Sequence, residues 1–222
     1  MLIPRTNPLF DPPKPDIRVQ AESAACKMTF ASPAERNRFF KQFVRGESAR
    51  DALQEFEQDT SIFGFTKGQF SLIDVIKAAL DKTGPAHLTC STWTVGSQDL
   101  TALHELLDDH RVLSVRFIVD VSFQSRQPEI LKHLIKQFGL DALRVTNNHA
   151  KFFLLGNDDW TVSCKTSMNL NFNPRFEDFD ISNDPRLHAF LDGVVTAIFD
   201  LAKSKYISKK AALVDFREHG ND

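Results

Sequence analysis

The residues with chemical potential are concentrated between Asn148 and Glu177. Asn148-His149-Ala150-Lys151 leads into Phe152-Phe153-Leu154-Leu155, and the whole run reads as a buried strand that starts at His149. Residues two apart on a strand project to the same face, so this reading delivers an imidazole and an ammonium to one point. A second strand-like run, Trp160 to Lys165, leads into Thr166, Ser167 and Asn169, and Arg175, Phe176 and Glu177 follow. A nucleophile, a fixed cation and small hydrogen-bonding groups are what substitution at a phosphodiester requires. The imidazole attacks phosphorus, an acid protonates the departing oxygen, and the cation and donors hold the charge on the non-bridging oxygens.

The ordered set resembles the phospholipase D superfamily, whose half-site reads H-x-K, four residues, D, then G-S-x-N and a later acid. His149-Ala150-Lys151 matches the H-x-K. Thr166-Ser167-Met168-Asn169 matches the G-S-x-N element with Thr in place of Gly, and Glu177 stands as the downstream acid. The fifth residue after Lys151 is Gly156, where the family pattern has Asp. The resemblance implies a phospholipase D-like α/β fold, a mixed β-sheet flanked by helices, and a phosphodiesterase that needs neither metal nor cofactor. It implies that His149 is the nucleophile, Lys151 the electrostatic clamp and Glu177 the acid that orients the imidazole. Ser167, Asn169 and Thr166 would hold the phosphate. Trp93 ends a core strand and either lines the substrate pocket or sits in the core.

The resemblance also implies that two half-sites meet in one cleft. His87, His104, His110, His133, His188 and His219 are followed at i+2 by Thr, Leu, Val, Ile, Phe and Asn, so the chain holds one H-x-K. The expectation is a homodimer whose two-fold axis brings both His149 side chains to a shared site. A small chain with one motif and no bilayer-spanning run favours nucleic acid as substrate, and so a nuclease. A phospholipid-directed phosphodiesterase or transferase of the same chemistry is an alternative. A catalytically silent dimer that binds nucleic acid or serves as a scaffold is another.

Composition narrows these classes without choosing among them. A net charge of −2 gives no overall attraction to nucleic acid or anionic lipid, so anions must be held by a local patch. Twenty Phe against one Tyr and two Trp point to a core filled by phenylalanine. Cys26, Cys90 and Cys164 are widely spaced and form no C-x-x-C pattern, which argues for buried free thiols in a reducing compartment rather than zinc or disulfides. Met1-Leu2-Ile3-Pro4-Arg5 lacks the apolar run of a secretory signal, and the expected location is cytoplasmic without membrane insertion. His104 and His110 lie among Glu105, Asp108 and Asp109, but Leu103, Leu106 and Leu107 make this an amphipathic helix with a solvated face rather than a metal site. Lys203, Lys205, Lys209 and Lys210 read as a solvated helix face or as a contact for a nucleic-acid backbone.

Elements to position the site follow in order. Five prolines make residues 1–18 an extended arm. Residues 19–66 read as an N-terminal helical decoration, with a helix starting at Ser32-Pro33 and carrying Phe39, Phe40 and Phe43, then a second from Ser48 to Glu57. A catalytic domain is expected over residues 67–206, followed by a tail over residues 207–222. Within that domain helices are predicted over Gly68–Leu80, Asp99–Leu107, Pro128–Phe138 and Asp184–Lys203. Strands are predicted over Ala86–Thr94, Val112–Val121, Leu143–Thr146, from His149, over Trp160–Lys165 and over Phe176–Ile181, with Gly156-Asn157-Asp158-Asp159 as a turn.

Overall fold

A computed structural model describes residues 37–42 and 47–205. The chain divides into two compact units, one spanning Pro33–Asp192 and one of which residues 193–205 are the described part. The first holds an eight-stranded mixed sheet in the order β1-β2-β8-β7-β6-β3-β4-β5. Its strands are β1 (Asn37–Gln42), β2 (Thr60–Thr66), β3 (Ala86–Thr92), β4 (Val112–Asp120), β5 (Leu143–Thr146), β6 (Phe152–Gly156), β7 (Thr161–Thr166) and β8 (Glu177–Asn183). The helices are α1 (Ala49–Ala52), α2 (Leu72–Thr83), α3 (Ser97–Asp108), α4 (Phe123–Arg126), α5 (Pro128–Phe138) and α6 (Pro185–Lys205). β3, β4 and β5 run parallel, as do β1 and β2, while β3–β6, β6–β7, β7–β8 and β8–β2 are antiparallel.

Alternation along the central strands sorts the sheet into two faces. Leu88 and Cys90 of β3, Phe153 and Leu155 of β6, and Val162 and Cys164 of β7 are buried in one cluster with Val75, Ile76 and Ala79 of α2 and Leu100 and Leu103 of α3. The intervening residues His87, Thr89, Ser91, Ser163 and Lys165 occupy the other face, as the two-residue period of a strand requires. Cys90 and Cys164 are buried free thiols, as their spacing suggested. Burial pushes the Cys90 thiol up to about 12 and holds Cys164 well above the ordinary thiol range.

Helix boundaries follow local chemistry. Asp74 accepts the Ser71 N–H at 2.8 Å at the start of α2, and Gly84 closes the helix with φ +70. Pro128 opens α5, and Gly139 ends it with φ +81. Gly68 explains why α2 starts after the predicted position. Its φ is +79, and a Cβ there would lie 2.5 Å from the Pro174 Cα, so it forms a close approach to the β7–β8 loop instead of a helical turn.

Two expectations are corrected. Residues 37–42 form a strand paired in parallel with β2, so Phe39 and Phe40 do not lie on a helix. Their β-forming aromatics find a sheet edge to join, and tertiary pairing overrides the helical spacing. Thr60–Thr66 is likewise a strand, flanked by β1 and β8, and the decoration therefore supplies two strands as well as the short helix α1. The second correction concerns His149 and Lys151, which precede β6 rather than opening it. Asn148 accounts for this, because its Oδ1 accepts the Ala150 N–H at 3.0 Å and turns the backbone out of extended pairing. The arm over residues 1–18, the helix start at Ser32-Pro33, Phe43, Cys26, Lys209, Lys210, His219 and the tail lie outside the described residues.

Candidate active site at one end of the sheet

All the candidate residues gather at one end of the sheet. Phe152 pairs with Lys165 and with Ser91, so β6 begins where β7 and β3 finish. Thr166 pairs with Phe179, which brings the start of β8 to the same end. The chain leaves β3 for β4 on one side, while β6 flanks β3 on the other. In open α/β sheets, a ligand crevice forms outside the carboxyl ends of strands at such a switch in direction.

His149 is exposed in the loop before β6, and its ring stands edge-on to Trp93 with centroids 5.6 Å apart. Lys151 folds back over this loop, its Nζ donating to the His149 carbonyl at 3.2 Å. The Lys151 carbonyl accepts the Thr166 N–H at 3.1 Å, which ties the loop to the end of β7. The structure therefore joins the Lys151 ammonium to the His149 backbone carbonyl through a side-chain return, and the two side chains do not share a strand face.

The loop is anchored from below. Asn148 Nδ2 donates to Ser91 Oγ at 2.9 Å and to the Ile118 carbonyl at 3.3 Å, and Ser91 Oγ donates to the Ala150 carbonyl at 2.9 Å. Asp120, at the end of β4, accepts the Asn148 N–H at 3.1 Å on one oxygen. Its other oxygen takes the Ser122 N–H at 2.9 Å and the Ser122 hydroxyl. Burial pushes the Asp120 carboxyl up, but the Ser122 and Asn148 donors and the Arg126 charge outweigh it and hold the group below the usual carboxylate range.

The phosphate-holding candidates lie beside this loop. Asn169 Oδ1 accepts the Trp93 N–H at 3.1 Å, which leaves its amide NH₂ without a hydrogen-bond partner among the described residues. Thr166 Oγ1 donates to the Asp178 carbonyl and accepts the Met168 N–H, fixing the bend that follows β7. Ser167 Oγ accepts the Asp178 N–H at 2.9 Å and donates to Glu177. The second Glu177 oxygen accepts Asn173 Nδ2 at 3.0 Å. Glu177 thus makes its hydrogen bonds to Ser167 and Asn173 and none to His149.

Three contributors had weak or no sequence signals. Asn148 and Asp120 are short polar residues beside a strand end, a pattern common to ordinary turns. Arg126 lies on the four-residue helix α4, too short to register as a period. Its guanidinium covers the Trp93 ring, 3.7 Å from the centroid.

A cleft of about 660 Å³ opens at the opposite end of β3 and β6, lined by His87, Arg116, Gly156, His188 and Asp192 among others. It contains none of the candidates. It does account for Gly156, because a Cβ there would lie 3.3 Å from the His188 ring. The His188 ring lies against the position where a side chain at residue 156 would begin. Burial holds His188 below its ordinary value, and Arg116 acts in the same direction while Asp192 opposes both. His104 pairs with Asp108 at 3.0 Å, and among the described residues no group of three His, Cys, Asp or Glu could hold a metal ion. No described helix is long and apolar enough to cross a membrane.

No protein-family model matches the chain, and no curated protein matches it either. Among solved structures the chain is similar to the crystal structure of polyphosphate kinase from Porphyromonas gingivalis, at 10% identity and a TM-score of 0.45. The similarity covers 63% of this chain and 26% of that one, so the chain spans about a quarter of that protein's length.

Proposed function

We propose that the chain is a metal-independent phosphodiesterase, a nuclease, that works through a phosphohistidine at His149 in a site shared by two copies. The observation that carries this is the exposed His149 imidazole with the Lys151 ammonium folded against its own loop, beside Asn169 and Ser167 at one end of the sheet. In the first step the imidazole lone pair attacks phosphorus, the bond to the leaving oxygen breaks, and an acid gives that oxygen a proton. Lys151 and the Asn169 amide stabilise the non-bridging oxygens. Water then attacks the phosphohistidine, the phosphorus–nitrogen bond breaks, and the water's proton restores the acid. Glu177 acts by orienting Ser167 and Asn173, a role in substrate binding.

The acid comes from His149 of a second copy. Of the other described histidines, His87 and His188 line the distant cleft, His104 and His133 belong to α3 and α5, and His110 follows α3. Phe172 and Phe176 are exposed on the β7–β8 loop and offer an apolar rim for that second copy to cover. Incubating the purified chain with labelled DNA, RNA and phospholipid in EDTA tests the reading. Cleavage of nucleic acid is expected. Turnover of lipid alone would move the substrate to the lipid class, and inertness on all three would leave a binding or scaffold dimer.

A further inference from the structure

We infer that Arg126 forms a second anion subsite beside His149, so that the substrate strand carries another phosphate next to the one attacked. This rests on the reading of the His149 end as a phosphodiester site. Arg38, Arg50, Arg111 and Arg116 each hold a carboxylate, as Asp180, Asp81, Asp81 and Asp192 respectively. Arg126 holds none among the described residues. Asp120, which feels the Arg126 charge, directs its oxygens to Ser122 and Asn148.

The guanidinium is nevertheless fixed. Its Nε donates to Ser122 Oγ at 2.9 Å, an Nη donates to the Trp93 carbonyl at 2.8 Å, and the group lies over the indole. Two donors are used for positioning, and Arg126 as a residue is exposed to solvent. Trp93 links the two groups, with Arg126 over its ring at 3.7 Å from the centroid and the His149 ring in a T-shaped contact at 5.6 Å between centroids. A held guanidinium with no direct ion pair among the described residues suits bidentate contact with phosphate, with less ordering needed than a free side chain would require. A nucleic-acid strand presents a second phosphate there, whereas a phospholipid with a single phosphodiester presents none.

The test separates this subsite from the site itself. Inorganic phosphate is titrated into the full-length chain and into Arg126→Ala while the His149 imidazole is followed by NMR. Binding of a short oligothymidylate is then measured across salt concentrations in His149→Ala, with and without Arg126→Ala. Phosphate should shift His149 equally in both chains. Loss of Arg126 should weaken the oligonucleotide about tenfold, and should reduce the salt slope by about 0.7. Arg126→Lys should restore the slope but only part of the affinity, and it carries the test if Arg126→Ala does not fold. An unchanged oligonucleotide affinity and slope, with phosphate still felt at His149, would overturn the subsite alone. No response of His149 to phosphate would overturn the site and the subsite together.

Discussion

Asn148→Ala probes how the loop of the proposed nucleophile, His149, is held. The asparagine makes three side-chain hydrogen bonds, to the Ala150 N–H, Ser91 Oγ and the Ile118 carbonyl. At about 1 kcal/mol net for each, with the longest worth less, the substitution should cost roughly 2–3 kcal/mol. It also frees Ser91 and Ala150 to adopt other arrangements, so His149 should lose its fixed stance against Trp93. If most of that cost falls on loop order, turnover should drop between about ten- and one-hundredfold. Asn148→Asp keeps the acceptor for Ala150 but loses both donors and sets a carboxylate near Asp120, so it should be no better. The assays are urea unfolding and hydrolysis of bis(p-nitrophenyl) phosphate in EDTA. Reduced stability with unchanged turnover would refute the claim that this network positions the nucleophile.

Other outcomes follow from the same geometry. His149→Ala should abolish turnover while near-UV circular dichroism and oligonucleotide binding persist, whereas Lys151→Ala should be inactive through lost charge stabilisation. Glu177→Gln should raise KM more than it lowers kcat, because its partners are Ser167 and Asn173; a shifted acid limb with unchanged KM would instead tie it to the imidazole. His188 is held below the ordinary histidine value of 6.5, so on acidification the unfolded chain takes up this proton before the folded one. Stability should therefore fall as pH drops below about 6.5 and the loss should level off once pH passes the folded value; His188→Gln should flatten that decline in urea titrations. Gly156→Asp should destabilise the fold, because its Cβ would press on the His188 ring, and Tm should show it.

The sequence carried the sheet's central part well. Leu143–Thr146 and Pro128–Phe138 emerge with the predicted boundaries, since each has a clear apolar pattern and the helix has Pro and Gly at its ends. The N-terminal strands were hidden because Phe39, Phe40 and Phe43 happen to fall at helical spacing, and only pairing with Thr60–Thr66 decides between the two states. At the site, residue types and spacing identified the loop, yet not how it is built. That Lys151 folds back onto the His149 carbonyl goes with Asn148 turning the backbone, a contact that no period encodes. Arg126 was invisible for a related reason. Its stack on Trp93, thirty-three residues away in the chain, is a tertiary contact that no local pattern encodes.

The most direct test of the central claim is the covalent intermediate. The chain, in EDTA, is mixed with a nucleic-acid substrate, quenched in alkali within its first turnovers, digested and examined by peptide mass spectrometry. The expected product is a nucleotidyl adduct, joined through phosphorus to the peptide containing His149, absent from His149→Ala and unaffected by the chelator. Efficient cleavage with no adduct on His149, or an adduct on another residue, would contradict it.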